Sequence, residues 1–422
     1  VSASVGGPAS RSAEPPAGQP TNQPVNQSAN QPADHGALPV RRGECKMPGG
    51  KLVGVNVSVR PSDGRAVRCR LDGDFFVEGD DAASRALIED IEHALIAGEP
   101  VERTVARHAD ARLIGASAAA IETAFARATG VECAVGGDGN VAGHVAPESQ
   151  RGLDVANQSA APAARVDVRV AAQADDCGKA HINSRAGEAE RWRARWAGLN
   201  PVVIHDRPRT PADQMAIDEQ WARQVASGRR PATIRFWEWA APAVVVGRFQ
   251  SIPDEVHEAE AAREGIAVVR RCTGGGAMFI EPGNTITYSL VAPLSFVADL
   301  DVVSSYRLCD QWLIDALHEL GIDAVYSGIN DISSPVGKIA GAAQRRFAGV
   351  AGGPGSVLHH VTLAYDIDAA KMGRVLNTSA EKMSDKAVRS AVRRVDPLRS
   401  QTGLPREAVI DAMMRHLKAM AR

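Results

Sequence analysis

The first patterned stretch of the chain alternates with period two. Residues 51–60, KLVGVNVSVR, carry Leu52 and Val53 into Val55, Val57 and Val59, the mark of a half-buried strand. Pro61-Ser62-Asp63-Gly64 is a turn signal. Residues 66–71 alternate again, and Asp72-Gly73-Asp74 leads into Phe75-Phe76. The period then lengthens. Leu87, Ile91 and Leu95 recur every fourth residue in a helix predicted over 86–96, stopped by Gly98. Ser117 caps a second helix carrying Ile121, Ala124, Phe125 and Ala128, stopped by Gly130. With order beginning near Glu44, residues 39–132 read as a small α+β domain.

The flanking stretches lose this pattern. Residues 1–38 are rich in Pro, Gln, Asn, Ser and Ala and have no aromatic residue, which predicts a disordered tail. Residues 133–190 are rich in Ala, Gly, Asn and Gln and read as a flexible linker.

A second domain is predicted over 191–422, starting near Trp192. Val202-Val203-Ile204 is a short strand. Thr210, Pro211 and Asp213 supply an N-cap, a first-turn proline and a capping acid for a helix bearing Ile217, Trp221 and Val225. Strands follow at 233–239 and 243–246, then a helix near 254–263 and a strand from Ile266. The clearest helix is 304–320, where Leu308, Trp312, Ala316 and Leu320 recur every four residues before Gly321. Strands joined by short turns, with helices between some of them, predict a mixed, largely antiparallel sheet with flanking helices.

At 422 residues the chain has room for about two domains. A formal net charge of −2 gives no electrostatic case for nucleic acid. No apolar run approaches the roughly 18 residues of a spanning helix, so no membrane partner is expected. No signal-peptide core opens the sequence, and a cytoplasmic location is expected. The six cysteines, Cys45, Cys69, Cys133, Cys177, Cys272 and Cys309, form no C-x-x-C pair, which argues against a zinc ribbon or redox dithiol.

Three segments concentrate functional residue types. After the strand at Ile266, Arg270 and Arg271 precede Cys272, Thr273 and the triplet Gly274, Gly275 and Gly276. Consecutive glycines suit close approach of backbone to a ligand, here a small anion, or a β-bulge between strands. No dinucleotide fingerprint or Walker loop is present. The second segment joins Asn330-Asp331 to Lys338, which lies among small and apolar residues. Such a lysine either meets an anionic partner or snorkels to solvent. In the third, His359 and His360 are adjacent in a predicted strand, so their side chains point to opposite faces and cannot share a metal undistorted.

RRCTGGGAMF at 270–279, IND at 329–331, GKIAGAAQRR at 337–346 and LHHVTLAYDID at 358–368 resemble, in order and spacing, the lipoate–protein ligase family. The likeness runs from about Pro201 to Pro397. GECK, PGGKLVGV and GDFF within 39–132 look like that family's accessory domain, here preceding the catalytic one. The resemblance implies the α+β sheet shared with biotin–protein ligases and class II synthetases. It also implies a two-step reaction. Lipoate and Mg-ATP give lipoyl-adenylate and pyrophosphate. A lysine on a lipoyl domain then takes the acyl group, as in E2 subunits of 2-oxoacid dehydrogenases or the glycine-cleavage H protein. Carried over by motif, Lys338 is the essential lysine. Arg270, Arg271, Thr273 and Gly274 to Gly276 surround the lipoyl group and adenylate. Asn330 and Asp331 lie near the nucleotide, with Asp331 a candidate for Mg2+, and His359 is the pocket histidine.

The chain departs from the family pattern at Thr273, Ile280-Glu281, Ile329 and Val361, which bears on acyl preference between lipoate and octanoate. Two rival readings stay open. One is an octanoyl- or lipoyltransferase of the same fold using a cysteine thioester, for which Cys272 is the cysteine beside the loop. The other is a lipoate-binding protein without turnover.

Overall fold

The computed structural model describes residues 38–130, 174–377, 379, 381 and 395–420, with the side chains of 174–186 outside that description. The expected tail up to residue 37 and the expected linker over 133–173 lie outside the described residues.

The alternating valines form a strand as predicted. β1 (Val40–Cys45), β2 (Val53–Val59) and β3 (Ala66–Gly73) make an antiparallel sheet with β2 in the middle. Val53, Val55, Val57 and Val59 are all buried. β4 (Phe76–Glu78) follows, then α1 (Asp81–Ala97), α2 (Val101–Arg107), β5 (Arg112–Ile114) and α3 (Ala118–Thr129), with β4 and β5 paired. α1 starts five residues before the apolar stripe predicts. Asp80 caps it by accepting from the Ala83 amide, and a cap acts upstream of the first core contact. Ser117 caps α3 in the same way. Leu87, Ile91, Ile121 and Ala124 pack on the valine sheet.

The C-terminal lobe opens with α4 (Ala174–Leu199), which begins inside the span expected to be linker. Its last turns are anchored: Trp192 and Trp196 are buried, and the Trp196 indole donates to the Leu308 carbonyl at 3.0 Å. The chain continues through β6 (Val202–His205), α5 (Pro211–Ala226), β7 (Thr233–Trp237), β8 (Ala243–Val246), α6 (Ile252–Glu255) and α7 (Glu258–Arg263). Next come β9 (Ala267–Arg270), β10 (Met278–Ile280), β11 (Thr285–Pro293), α8 (Val302–Glu319), β12 (Val325–Ser327) and β13 (Asp331–Ser333). β14 (Lys338–Phe347), β15 (Ser356–Ala364), α9 (Ala369–Val375), α10 (Leu398–Thr402) and α11 (Arg406–Met420) complete it. Thr210 caps α5, accepting from the Asp213 amide.

Seven strands form the main sheet in the order β12-β13-β14-β15-β11-β7-β6. Every pairing is antiparallel except β6 with β7. A second sheet, β10-β8-β9, holds the strand that leads into the glycines. The class is therefore α+β with a mixed, largely antiparallel sheet. α8 buries Leu308, Trp312 and Ala316 against the main sheet, and Cys309 lies in that core.

Residues from Pro39 onward cluster as one compact unit. Phe75 stacks on Phe249 with ring centroids 5.3 Å apart. The Gly73 amide donates to the Phe249 carbonyl, and the Gln250 amide donates to Asp74 at 2.8 Å. Asp81 at the start of α1 pairs with Arg345 and, at 3.0 and 3.4 Å, with Arg248 and Arg223. The segment Gly73-Asp74-Phe75-Phe76 thus lies against the neighbourhood of the glycine loop.

Candidate functional site

Three glycines in a row allow a second backbone to come very close, and one does. A Cβ at Gly274 would stand 2.6 Å from the Phe75 carbonyl oxygen, and one at Gly275 would stand 3.2 Å from the Phe76 ring. Gly275 also has φ +92, a conformation that costs a side-chain-bearing residue. The close approach comes from the chain's own N-terminal lobe.

The two arginines before the glycines hold main chain. Arg270 donates through Nη1 to the carbonyls of Gly247 and Gln250 at 2.6 and 2.8 Å. Arg271 is buried. Its guanidinium reaches the carbonyls of Val245, Gly274 and Gly276 at 3.1, 2.7 and 2.9 Å, and Thr273 Oγ1 at 3.1 Å. Burial lowers the pKa of both, that of Arg271 to about 10. The resemblance set these arginines around a lipoyl group and adenylate; here their N–H groups donate to main-chain carbonyls and hold the shape of the loop.

Adjacent histidines on β15 separate as the pleat requires. His360 reaches the loop: its Nε2 lies 2.8 Å from Thr273 Oγ1, and its Nδ1 lies 2.9 Å from Asp218. Asp218 in turn accepts from Ser289 and Arg235. Desolvation lowers the His360 pKa despite Asp218. His359, the residue the motif pointed to, turns toward α8 and is fully buried. Its Nε2 lies 2.6 Å from Asp310, and Nδ1 lies 3.3 Å from the Gln344 amide. The imidazole in contact with the glycine loop is therefore that of His360.

The lysine segment folds so that its functional side chains meet. β13 and β14 pair with Asp331 opposite Gly341 and a register shift between Ile332 and Ser333. That arrangement sets Lys338 Nζ 2.9 Å from Asp331 Oδ1, with the lysine side chain 41% exposed. Asn330 turns its amide inward, donating to the Ala342 carbonyl at 2.6 Å. Its Oδ1 accepts from Lys51 Nζ, a residue of the N-terminal lobe, at 2.6 Å. Burial opposes the charged form of Asp331, but Lys338 and Lys51 together keep its pKa below the ordinary carboxylate value.

Asn330, Asp331 and Lys338 lie within residues 210–418, which match the family model of the lipoyl protein ligase A/B catalytic domain, whereas Lys51 lies outside that match. An octanoyltransferase LipM of Lysinibacillus sphaericus is 30% identical over 202 residues, 42% of this chain and 70% of that protein. The chain belongs to the lipoyl protein ligase A/B family. A lipoate-protein ligase A subunit 1 of Thermoplasma acidophilum is 28% identical over 218 residues, 51% of this chain and 81% of that one. Among solved structures, a bipartite lipoate protein ligase from Thermoplasma acidophilum, studied with its E2 lipoyl domain, matches with a TM-score of 0.44 and 27% identity. That match covers 52% of this chain and 83% of the other.

In this family member the structure brings Lys338, Asp331 and Asn330 together, and packs Gly274 and Gly275 tightly against Phe75 and Phe76. Sequence reasoning missed Lys51. The available signal was a lysine opening an apolar strand straight after Gly49-Gly50. It also missed Phe76, which packs with Ile114 and with Ala343 of β14, the residue paired with His360. Among the described residues, no helix is long and apolar enough to cross a membrane, and no group of three or more His, Cys, Asp or Glu side chains is placed to hold a metal.

Proposed function

We propose that this chain is an ATP-dependent lipoate–protein ligase acting through a lipoyl-adenylate, with residues 39–132 as its accessory domain. The observation that carries the reading is the meeting of two ammonium groups, Lys51 and Lys338, around Asp331 and Asn330. Joining a carboxylate to a phosphate brings two anions together. A carboxylate oxygen attacks the α-phosphorus, the bond to the bridging oxygen breaks, and pyrophosphate leaves with the electron pair. A cation about 4 Å from the developing charge contributes roughly 4 kcal/mol at an effective dielectric near 20. Lys338, half-exposed and held by one carboxylate, is available for that part. In the second step the neutral amine of an acceptor lysine attacks the acyl carbonyl, AMP leaves, and the amine proton passes to solvent.

Mg2+ arriving on ATP takes most of its ligands from phosphate oxygens and water, and needs one or two carboxylates from protein. Asp331 fits that requirement and would be the residue to hold it. The chemistry supplied is neutralisation of phosphate charge. The acceptors are lipoyl domains of 2-oxoacid dehydrogenase E2 subunits or the glycine-cleavage H protein.

A second reading, the cysteine-dependent acyl transferase, is favoured by the octanoyltransferase name of a relative at 30% identity. It needs an accessible thiolate. Cys272 is partly exposed, but desolvation pushes its thiol up to about 12 and also raises those of Cys69 and Cys309, which supports the ligase over a thioester on any of these three. The deciding experiment measures pyrophosphate release from Mg-ATP with lipoate or octanoate, with and without a lipoyl domain. Acid-dependent release followed by a mass gain on the domain is expected. No release, but acyl transfer from an acyl-carrier thioester that Cys272→Ser abolishes, would establish the transferase.

A further inference from the structure

The contact between Lys51 and Asn330 joins the two lobes at the lysine site, and each end of it is fixed by its surroundings. An ammonium only donates, so the atom of Asn330 facing Lys51 Nζ at 2.6 Å must be the carbonyl oxygen. The other end of the carboxamide donates to the Ala342 carbonyl, and the Ala342 amide returns a bond to the Asn330 carbonyl at 2.8 Å. Asn330 is thereby locked between β14 and the N-terminal lobe, immediately before Asp331. On the lysine's side, the Lys51 amide donates to the Gly115 carbonyl at 2.7 Å. A Cβ at Gly115 would come within 2.5 Å of Lys51 Cγ, so the glycine leaves room for the stem. The Phe76 ring lies 5.7 Å from the ammonium. Lys51 is partly buried, and desolvation lowers its pKa, with Asp331 opposing that shift and Lys338 adding to it.

A partly buried ammonium bonded to a neutral amide recovers less of its lost hydration than one paired with a carboxylate. A methionine would fill the same space without the charge. The retained charge has a use if it orients a polar group beside the place where anions meet. We propose that Lys51 is a positioning residue for adenylate formation, acting through the Asn330 carboxamide. This deepens the ligase reading and rests on it. Lys51 bonds to the residue before Asp331, and Asp331 bonds to Lys338. Loss of the lysine therefore frees the carboxamide and removes one of the cations, with Lys338 and Lys46, that act on Asp331.

The experiment uses the full chain and separates the two half-reactions: pyrophosphate release from Mg-ATP and lipoate, and acyl transfer to a lipoyl domain from synthetic lipoyl-adenylate. Lys51→Met is expected to lower kcat for pyrophosphate release by about 10²-fold, the usual cost of a lost preorganised donor. Transfer from preformed lipoyl-adenylate is expected to continue, which also reports that the variant is folded. Because the action runs through Asn330, Lys51→Met and Asn330→Ala are expected to be non-additive in the double variant. Asp81→Ala, which loosens the contact between lobes at Arg345, Arg248 and Arg223, serves as the control for docking alone. If Lys51→Met keeps normal pyrophosphate release, if its losses add to those of Asn330→Ala, or if Asp81→Ala reproduces the same split, the positioning role is overturned while the ligase reading stands. If the unaltered chain releases no pyrophosphate, the ligase reading itself fails and this inference falls with it.

Discussion

The glycine loop and the lysine segment carry comparable positive charge and use it differently. In the loop, Arg270 and Arg271 give their N–H groups to the main-chain carbonyls of Gly247, Gln250, Val245, Gly274 and Gly276. At the lysine segment, Lys338 faces one carboxylate and stays 41% exposed. A guanidinium with five donors suits a fixed web of carbonyls, whereas an ammonium on a flexible stem suits a group that must change partners. Charge in a sequence motif is therefore available for chemistry only where its hydrogen bonds are not already taken by the fold.

The largest test of this contrast is Lys338→Ala. It should reduce adenylation by at least about 10²–10³-fold while leaving the denaturation midpoint nearly unmoved. Near-normal pyrophosphate release would remove Lys338 from the chemistry. Arg271→Ala should do the reverse in kind. It leaves buried carbonyls without donors, and a loss of about 3 kcal/mol in unfolding free energy is expected. Unchanged stability in urea titration would mean that the guanidinium is not what holds the loop. Gly274→Ala sets a methyl against the Phe75 carbonyl and should cost about 1–3 kcal/mol. If it is silent, the two lobes are not in close contact there.

The smallest effect concerns His360, whose folded pKa lies below the ordinary 6.5 because it is buried. Below pH 6.5 the unfolded chain binds a proton that the folded chain resists. This group's contribution to stability is therefore complete above 6.5 and falls as pH drops beneath it. His360→Gln should flatten the acid limb of the stability profile. An unchanged limb would mean that His360 titrates normally and that its contacts with Thr273 and Asp218 are loose.

Much of the fold was legible in local pattern. The valines of β2 alternate because one face is core, and the stripe on α8 repeats every four residues for the same reason. α4 was hidden because its early residues lack an apolar stripe, while its last turns are anchored by Trp192, Trp196 and the Arg195 bonds to the Phe296 and Ala298 carbonyls. At the site, Lys338, Asp331 and Asn330 were readable because they lie close in sequence on a short strand pair. Lys51 stands 279 residues from Asn330, and no local pattern links them.

The sequence by itself determined the alternating strand β2, the striped helix α8 and the Ser117 and Thr210 caps, since these depend on neighbours within a few positions. The tertiary structure decided which histidine meets the glycine loop, that the two arginines serve carbonyls, and that a second lysine enters from the other lobe. Those outcomes depend on which surfaces exclude water from one another, and that is settled only when distant segments pack.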